Sequence, residues 1–484
     1  MAADPLHELI NKLSASEKRY FRLYVRRQGG QSEREYLSLF AALEQQSVYD
    51  EAALVAALPN PTFAKNLSSG KHYLYQLLLK SLRAYHADRN ARFQLYGLLQ
   101  DIHLLLEKNL TDQAAKRLRK AKKLAAKYFF NLPHLELLLL DRQLIRSYQN
   151  RQAEVHIARN QRESQECLEQ VIGHFDILKL YDQTFLAIRN RMHLEDSEGT
   201  ISEWLTAHAT DFKTKRHTFE TQMLYHLTWT NYYLAVKGEM PPAQGHMKAI
   251  LDLFEENPHL IDEYKLRYLN VVNNYLNIFY LQKDFSPFPH YLDRLATIKA
   301  RSEKIRIRLF EIRQGLRLIA LLGQRRYTDA LHILPEIIDG LEQYGKKMQM
   351  AFQLEFWQNI ALVYFHLGQL ESAQQWLLQC IQTQRQDVRQ DVQLFCRILE
   401  LILHWEWGNT PLIESRARSL LRLRDSSPEA QYAHILARHL LRGMGQNTAD
   451  QRQVLRDLRG DLALAPPGGN GWEELQHWLE RHGV

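Results

Sequence analysis

One stretch of the sequence, residues 353–380, describes a helical hairpin more clearly than any other. Apolar residues recur at the three-and-four spacing of one helix face, at Phe356, Ile360, Val363, Tyr364 and Leu367. Gly368 interrupts this run, and a second apolar face follows at Ala373, Trp376, Leu377 and Cys380. The pattern predicts two helices joined by a tight turn.

The composition extends this interpretation to the whole chain. Glycine and proline supply only 21 and 14 of the 484 residues, too few for the many turns of an all-β or doubly wound fold. A hydrophobic fraction of 45% is ample for a core. We therefore predict an all-α fold.

Cysteine usage and the chain start indicate a compartment. Cys167, Cys380 and Cys396 are an odd number and show no CxxC spacing, which is typical of buried thiols in a reducing environment. The first residues lack the basic start and apolar stretch of a signal peptide, and no window approaches 18 uninterrupted apolar residues. We expect a soluble cytoplasmic protein that has no membrane partner.

The hairpin pattern divides the chain into three parts. Residues 1–90 form a helical module that is either a cap over the first hairpin or a DNA-reading helix-turn-helix. Between 91 and 445 the hairpin recurs with a step close to the 43 residues from Ala330 to Ala373, and two or more helical pairs are expected between 132 and 215. Residues 446–484 hold a flexible spacer at 465–471 and an amphipathic helix that can cap the last hairpin, plug the groove or dock on a partner.

The stretch from 353 resembles a tetratricopeptide repeat. The large, small, aromatic, turn, small and large positions of that motif are occupied by Trp357, Ala361, Tyr364, Gly368, Ala373 and Leu377. The step between hairpins is longer than the family's usual length of about 34 residues, so a longer-helix relative or a HEAT-like array is also open. The resemblance implies a right-handed superhelix, an α-solenoid, whose first helices line a concave, ligand-holding face.

The same resemblance suggests candidate binding residues. Family members that clamp a peptide carboxylate use Lys, Arg and Asn at two positions of the first helix, and here those positions hold Tyr225, Trp229, Asn270, Asn274, Glu355 and Asn359. Without a lysine or arginine there, a carboxylate clamp is not expected. The asparagines can instead hydrogen-bond an extended peptide backbone, or they can bridge neighbouring helices or face solvent.

A basic stretch offers a second kind of site. The chain carries a net charge of +7, and seven basic residues crowd the segment from 116 to 127. Lys116, Arg119, Lys120 and Lys123 are candidates for phosphate contacts. The alternative is an ordinary solvated helix face, since Leu118 keeps an apolar stripe among the charges.

Catalytic and metal motifs are lacking. GLEQYGKK at 340–347 nearly spells a phosphate-binding loop, but Lys347 stands where a magnesium-binding Ser or Thr is needed, so a helix end is the better interpretation. The histidines show no zinc-ligand spacing. We expect no catalytic residues, no cofactor and no metal.

Two functional hypotheses follow. The first is a non-enzymatic scaffold or adaptor that binds a peptide or helix of another protein on its concave face. The alternative is a transcriptional or nucleic-acid-binding regulator, with residues 1–90 contacting DNA and the repeats acting as a sensor or dimerisation domain. The sequence leaves the ligand and the oligomeric state open.

Overall fold

A computed structural model describes residues 4–28, 33–147, 153–190, 217–300, 302–383, 388–423, 427–465 and 471–484, with isolated positions 203, 205, 206 and 212. In these residues the structure has 24 α-helices and no β-strand, so the predicted all-α fold is confirmed. The chain divides into two compact units, Met1–Tyr268 and Leu269–Val484.

The first unit contains thirteen of the described helices. They are α1 (Pro5–Lys12), α2 (Ala15–Gln28), α3 (Glu33–Gln45), α4 (Glu51–Ala57), α5 (Pro61–Lys65), α6 (Leu67–His86), α7 (Ala91–Glu107), α8 (Thr111–Tyr128), α9 (Asn131–Ser147), α10 (Ala153–Asn190), α11 (Phe219–Tyr232), α12 (Met240–Glu256) and α13 (Pro258–Glu263). The buried apolar residues of α1–α6 form one cluster, and those of α7–α9 form another.

The second unit begins within α14 (Lys265–Leu281). It continues with α15 (Phe288–Ala296), α16 (Glu303–Gly323), α17 (Tyr327–Tyr344), α18 (Met350–His366), α19 (Leu370–Ile381), α20 (Gln390–Glu406), α21 (Thr410–Leu421), α22 (Pro428–Gly443), α23 (Thr448–Ala463) and α24 (Trp472–Arg481). The hairpin predicted at 353–380 is therefore present as α18 and α19. From α15 to α24 each helix packs on its neighbour in the chain, and α16, α18, α20 and α22 also pack side by side.

Helix starts are fixed by local capping. Ser14 and Glu17 form a capping box: the Ser14 N–H donates to Glu17 Oε2 at 2.8 Å, and the Glu17 N–H donates to Ser14 Oγ at 3.3 Å. Asp50 caps α4 by accepting from the Ala53 N–H at 3.1 Å. These polar side chains satisfy backbone donors that a helix start leaves unpaired.

The hairpin turns share one geometry. In the Gly368 turn, the Gly368 N–H donates to Phe365 O at 3.0 Å and the Gln369 N–H to Tyr364 O at 2.9 Å, which is a Schellman motif. The same pair of bonds and the same left-handed backbone recur at Asn109, Lys283, Arg325 and Gly408. In the second unit successive turns are thus 40 to 43 residues apart, which agrees with a helical repeat.

The alanines at the two small positions of the repeat motif lie where helices pack together. Ala361 and Ala373 are fully buried in the core of the second unit. Gly340, in α17, lies under the ring of Phe310, and a Cβ atom there would stand 2.1 Å from that ring. Close packing of these helices therefore depends on missing side-chain volume at specific sites.

Of the two or more helical pairs predicted between 132 and 215, the described residues show one, α9 with α10. Residues 153–190 form the single 38-residue helix α10, which packs against both α9 and α11. Most of 191–216 lies outside the described residues. No turn forms within α10 because its one glycine, Gly173, keeps helical geometry and no proline interrupts the run.

The C-terminal helix α24 is part of the core of the second unit. Leu475, Trp478 and Leu479 are fully buried, and Trp478 Nε1 donates to Glu406 Oε1 at 2.6 Å. His366 Nε2 lies 2.8 Å from the carboxylate of Glu474. Helix α24 thus packs against residues of α18 and α20, while most of the predicted spacer, 466–470, lies outside the described residues.

Candidate functional site

A groove of about 330 Å³ runs along the first helices of four successive hairpins in the second unit. Its polar lining is Asn273, Asn277, Glu311, Glu355, Gln358, Asn359 and Arg389. Its apolar lining is Tyr280, Leu281, Leu316, Ile319, Phe352, Phe356 and Val392, with Gly315 between them. Because α14, α16, α18 and α20 each contribute, the groove exists only when the hairpins are stacked.

Arg389 organises the charges at one end of the groove. Its guanidinium forms two hydrogen bonds with the carboxylate of Asp391, at 2.8 and 3.0 Å, and a further ion pair with Glu355. Burial raises the pKa of Glu355, and the positive charge of Arg389 only partly opposes this shift. Burial also opposes ionisation of Asp391, but the bonds from Arg389 outweigh it and lower the pKa of that carboxyl.

The backbone of Arg389 is unusual. Its φ of +46° places a non-glycine residue in the left-handed region just before α20. The side chain of the same residue is bound by two carboxylates, those of Asp391 and Glu355. Non-glycine residues in such conformations cluster at binding sites, because surrounding contacts must maintain them.

A second carboxylate in the groove is fully paired. Glu311 is only 2% exposed; it accepts from Arg308 Nη1 at 3.0 Å and from the Gln349 N–H at 3.1 Å. The Arg308 guanidinium lies 4.4 Å from the centre of the Phe352 ring. The two carboxylates that line the groove are thus each paired with an arginine, Glu311 with Arg308 and Glu355 with Arg389, which also binds Asp391.

The remaining polar groups are amides and one phenol. Among the described residues, the buried Gln358 Oε1 has no hydrogen-bond partner. Asn359 is the next residue along α18, and Asn273 and Asn277 line the same groove from α14. Burial raises the pKa of Tyr280 to about 12, and the nearby Glu474 adds to this shift, so its hydroxyl is a donor at neutral pH.

The structure separates the predicted peptide-binding asparagines. Asn359 lines the groove, next to Glu355. Asn270 is exposed and accepts two hydrogen bonds from Arg308, at 2.7 and 3.0 Å. Asn274 is exposed outside the groove, whereas Asn273 lines it. One residue of offset turns a side chain by about 100° around a helix, and the sequence pattern did not resolve that offset.

Tyr225 and Trp229 lie in the first unit and do not line the groove. Tyr225 is buried, and the Trp229 ring stacks on Tyr233 and on His246, with ring centres 5.4 and 5.6 Å apart. His246 Nδ1 lies 2.9 Å from Nδ1 of His226. Burial lowers the pKa of both histidines to about 4. These residues form an aromatic cluster inside the unit.

The basic candidates share one exposed face of α8. Lys116, Arg119, Lys120 and Lys123 are all exposed, at helical spacings of three and four residues. Lys122 points elsewhere and is paired with Asp141 and Glu163, at 2.9 and 2.8 Å. The four predicted phosphate contacts are therefore brought together on one surface.

The described part of the chain offers little support for a metal site, a phosphate-binding loop or a membrane span. No group of three or more histidine, cysteine, aspartate or glutamate side chains there is placed to hold a metal. Residues 345–347 of GLEQYGKK form a short 3₁₀ turn after α17, as expected of a helix end. Among the helices that the structure describes, none combines the length and apolar character needed to cross a bilayer.

Fold and groove together define a class, an all-α protein of sequentially packed helices whose regular hairpins are consistent with a helical repeat. Comparison with protein-family models, with curated proteins and with solved structures gave no match to this chain.

Proposed function

We propose that the second unit is a non-enzymatic scaffold, an α-solenoid of tetratricopeptide-like hairpins, that binds a peptide segment of another protein in the groove. The observation that carries this proposal is the composition of the groove wall. Successive first helices supply amide side chains beside aromatic and aliphatic ones, while every carboxylate is already paired.

This lining suits an extended peptide. Amide side chains both donate and accept, as a peptide backbone does, and apolar surface between them accommodates side chains. A site whose carboxylates are already paired with arginines does not select a strongly charged ligand. The volume of about 330 Å³ is at the lower end of the range for ligand sites, so the ligand contacts the groove through a short segment.

The test uses a phage-displayed random peptide library and the full chain. A peptide selected on the wild type is measured against Asn273→Ala and Asn359→Ala, and we expect each variant to bind about 2- to 10-fold more weakly, since one hydrogen bond contributes about 0.5–1.5 kcal/mol. Asn274→Ala is the matched control, because Asn274 lies on the same helix outside the groove. Failure to select any peptide, or equal weakening in the control, contradicts the proposal.

The basic face of α8 supports a second candidate function, that of a nucleic-acid-binding regulator. Four exposed cations at helical spacing can follow a phosphate backbone. Binding of labelled duplex DNA should then fall steeply with salt, and Lys116→Ala and Lys120→Ala should each reduce the slope by about 1. Arg452→Ala, at an exposed position on α23, is the control of equal charge. Binding that is flat between low and physiological salt excludes this candidate.

A further inference from the structure

Helix α10 carries an apolar seam that no described residue covers. Its positions alternate by four and three residues, at Leu168, Ile172, Phe175, Lys179, Asp182 and Leu186, and all of them are exposed. This is the a and d spacing of a coiled-coil heptad. The opposite side of the same helix is buried within the first unit, at residues such as Cys167 and Leu180. We call the exposed set the α10 seam.

The area of the seam matches what a protein interface needs. Leu168, Ile172, Phe175 and Leu186 are 50%, 55%, 55% and 51% exposed. A large apolar side chain presents roughly 200 Å², so the four together expose roughly 400 Å². A standard interface buries about 800 Å² on each partner, of which roughly 450 Å² is apolar. The seam alone supplies most of that apolar area.

The order of residues along the seam makes it complementary to itself in one orientation. When two copies run antiparallel about an axis between Gly173 and His174, the facing pairs are Ile172 with Phe175, Leu168 with Lys179, Gln165 with Asp182, and Gln161 with Leu186. Each pair occurs twice, as a twofold interface requires. Four of the six seam positions then face each other, and Asp182 and Leu186 face Gln165 and Gln161, which continue the same spacing towards the N-terminus of α10.

Charge favours this orientation over the parallel one. A parallel, in-register pair would place Lys179 against Lys179 and Asp182 against Asp182, which is unfavourable at buried positions. In the antiparallel pair the stem of Lys179 covers Leu168, and its ammonium comes within reach of Glu169 on the other copy. No like charges face each other across the seam positions.

We propose that the α10 seam is the dimerisation surface of this protein and that its occupant is the α10 seam of a second copy, packed antiparallel. This inference concerns the first unit and does not depend on the peptide groove. A dimer of this kind presents two copies of the second unit to a ligand, so bivalent ligands gain affinity through effective concentration.

Sedimentation equilibrium of the full chain across the micromolar range tests the proposal. The wild type should approach twice the chain mass of 57.0 kDa as concentration rises. Ile172→Glu should return it to the monomer, because a charge is then buried against Phe175. Lys179→Leu should tighten the dimer about tenfold or more, since a lysine at an a position weakens a coiled coil and leucine there packs on Leu168.

Two controls separate the seam from general effects. Glu166→Leu adds the same apolar side chain to α10 at an exposed position off the seam and should leave the dimer unchanged. Helical circular dichroism should show that Ile172→Glu remains folded. Mixing Ile172→Cys chains with Phe175→Cys chains should give disulfide-linked heterodimers under mild oxidation, faster than either variant alone, because these two positions face each other.

Several results overturn the proposal. The first is a wild-type monomer at every concentration. The second is a dimer that Ile172→Glu does not weaken, and the third is equal tightening by Glu166→Leu and Lys179→Leu. A monomer in which Ile172→Cys resists a thiol reagent also overturns it, because the seam is then covered by a segment of the same chain.

Discussion

Two glycines in neighbouring helices of the second unit should respond in opposite directions to the same substitution. Gly340 lies in α17 and Gly315 in α16, both inside helices. A Cβ atom at Gly340 would stand 2.1 and 2.2 Å from two carbons of the Phe310 ring, whereas a Cβ atom at Gly315 would meet Phe356 only at 3.9 Å. We predict that Gly340→Ala destabilises the protein and that Gly315→Ala stabilises it.

The magnitudes follow from two opposing effects. Alanine in a helix interior is favoured over glycine by about 1 kcal/mol, which applies at both sites. At Gly315 the added methyl group makes an ordinary contact, so the free energy of unfolding should rise by about 1 kcal/mol. At Gly340 the Phe310 ring must move, and overpacking of this kind costs about 1–3 kcal/mol. The expected net change is a loss of up to about 2 kcal/mol.

Urea unfolding followed by circular dichroism measures both variants, with the midpoint compared at constant slope. Phe310→Leu combined with Gly340→Ala provides the check, since a smaller side chain should relieve the overlap and give a favourable coupling energy. If Gly340→Ala is as stable as Gly315→Ala, the close packing of α16 on α17 is wrong. If the double variant shows no coupling, the loss arises somewhere other than Phe310.

Three further predictions concern the C-terminal helix α24, the hairpin turns and the histidine pair His226 and His246. Trp478→Ala should lower the free energy of unfolding by about 3–5 kcal/mol, because the ring is carried by α24 and is fully buried in the core of the second unit; a loss below 1 kcal/mol in urea unfolding would show that α24 is not part of the core. Arg325→Gly should raise the free energy of unfolding by about 1 kcal/mol, since φ there is +59° and glycine adopts that conformation without strain. Gln324→Gly should lower it, since φ there is an ordinary −85°. If thermal melts show that both variants change stability in the same direction, the shared turn geometry is refuted. Burial lowers the pKa values of His226 and His246 to about 4, below the ordinary 6.5. Between these two pH values the unfolded chain binds more protons than the folded chain. The free energy of unfolding is therefore highest above pH 6.5 and falls as the pH drops towards 4. In urea unfolding, the free energy of unfolding should be lower at pH 5 than at pH 7 by on the order of 2 kcal/mol for each histidine. An unfolding midpoint that does not change with pH would contradict the burial of these two rings in their neutral form.

The groove shows how far sequence reasoning reached into the site. Asn359 was predicted from its place in the first helix of the best hairpin, and it lines the groove. Asn274 was chosen one residue away from Asn273, which is the side chain that faces the groove. Arg389 was missed, because it precedes α20 in a conformation that nothing in the local sequence signals. The periodicity of apolar residues predicts which face of a helix is buried, but it does not predict which neighbouring helix packs against that face.

The long helix α10 shows a similar limit. Its sequence is apolar on two sides, so a search for one stripe per helix did not predict one 38-residue element there. The basic face of α8 could be predicted from the helical spacing of its lysines and arginine alone. Lys122 is not part of this face, because it pairs with Asp141 of α9 and Glu163 of α10. That pairing depends on how the three helices pack and could not be predicted from the spacing.

The sequence by itself determined the all-α class, the hairpin at 353–380 and the glycine turn at Gly368, because helix periodicity and capping are local properties that each segment carries with it. Only the tertiary structure decided that Lys283 and Arg325 adopt the same left-handed turn, since the packing of adjacent helices imposes that backbone where no glycine offers it. The groove belongs to this second category as well. Its walls come from four helices separated by tens of residues, and whether their side chains meet depends on how the hairpins stack.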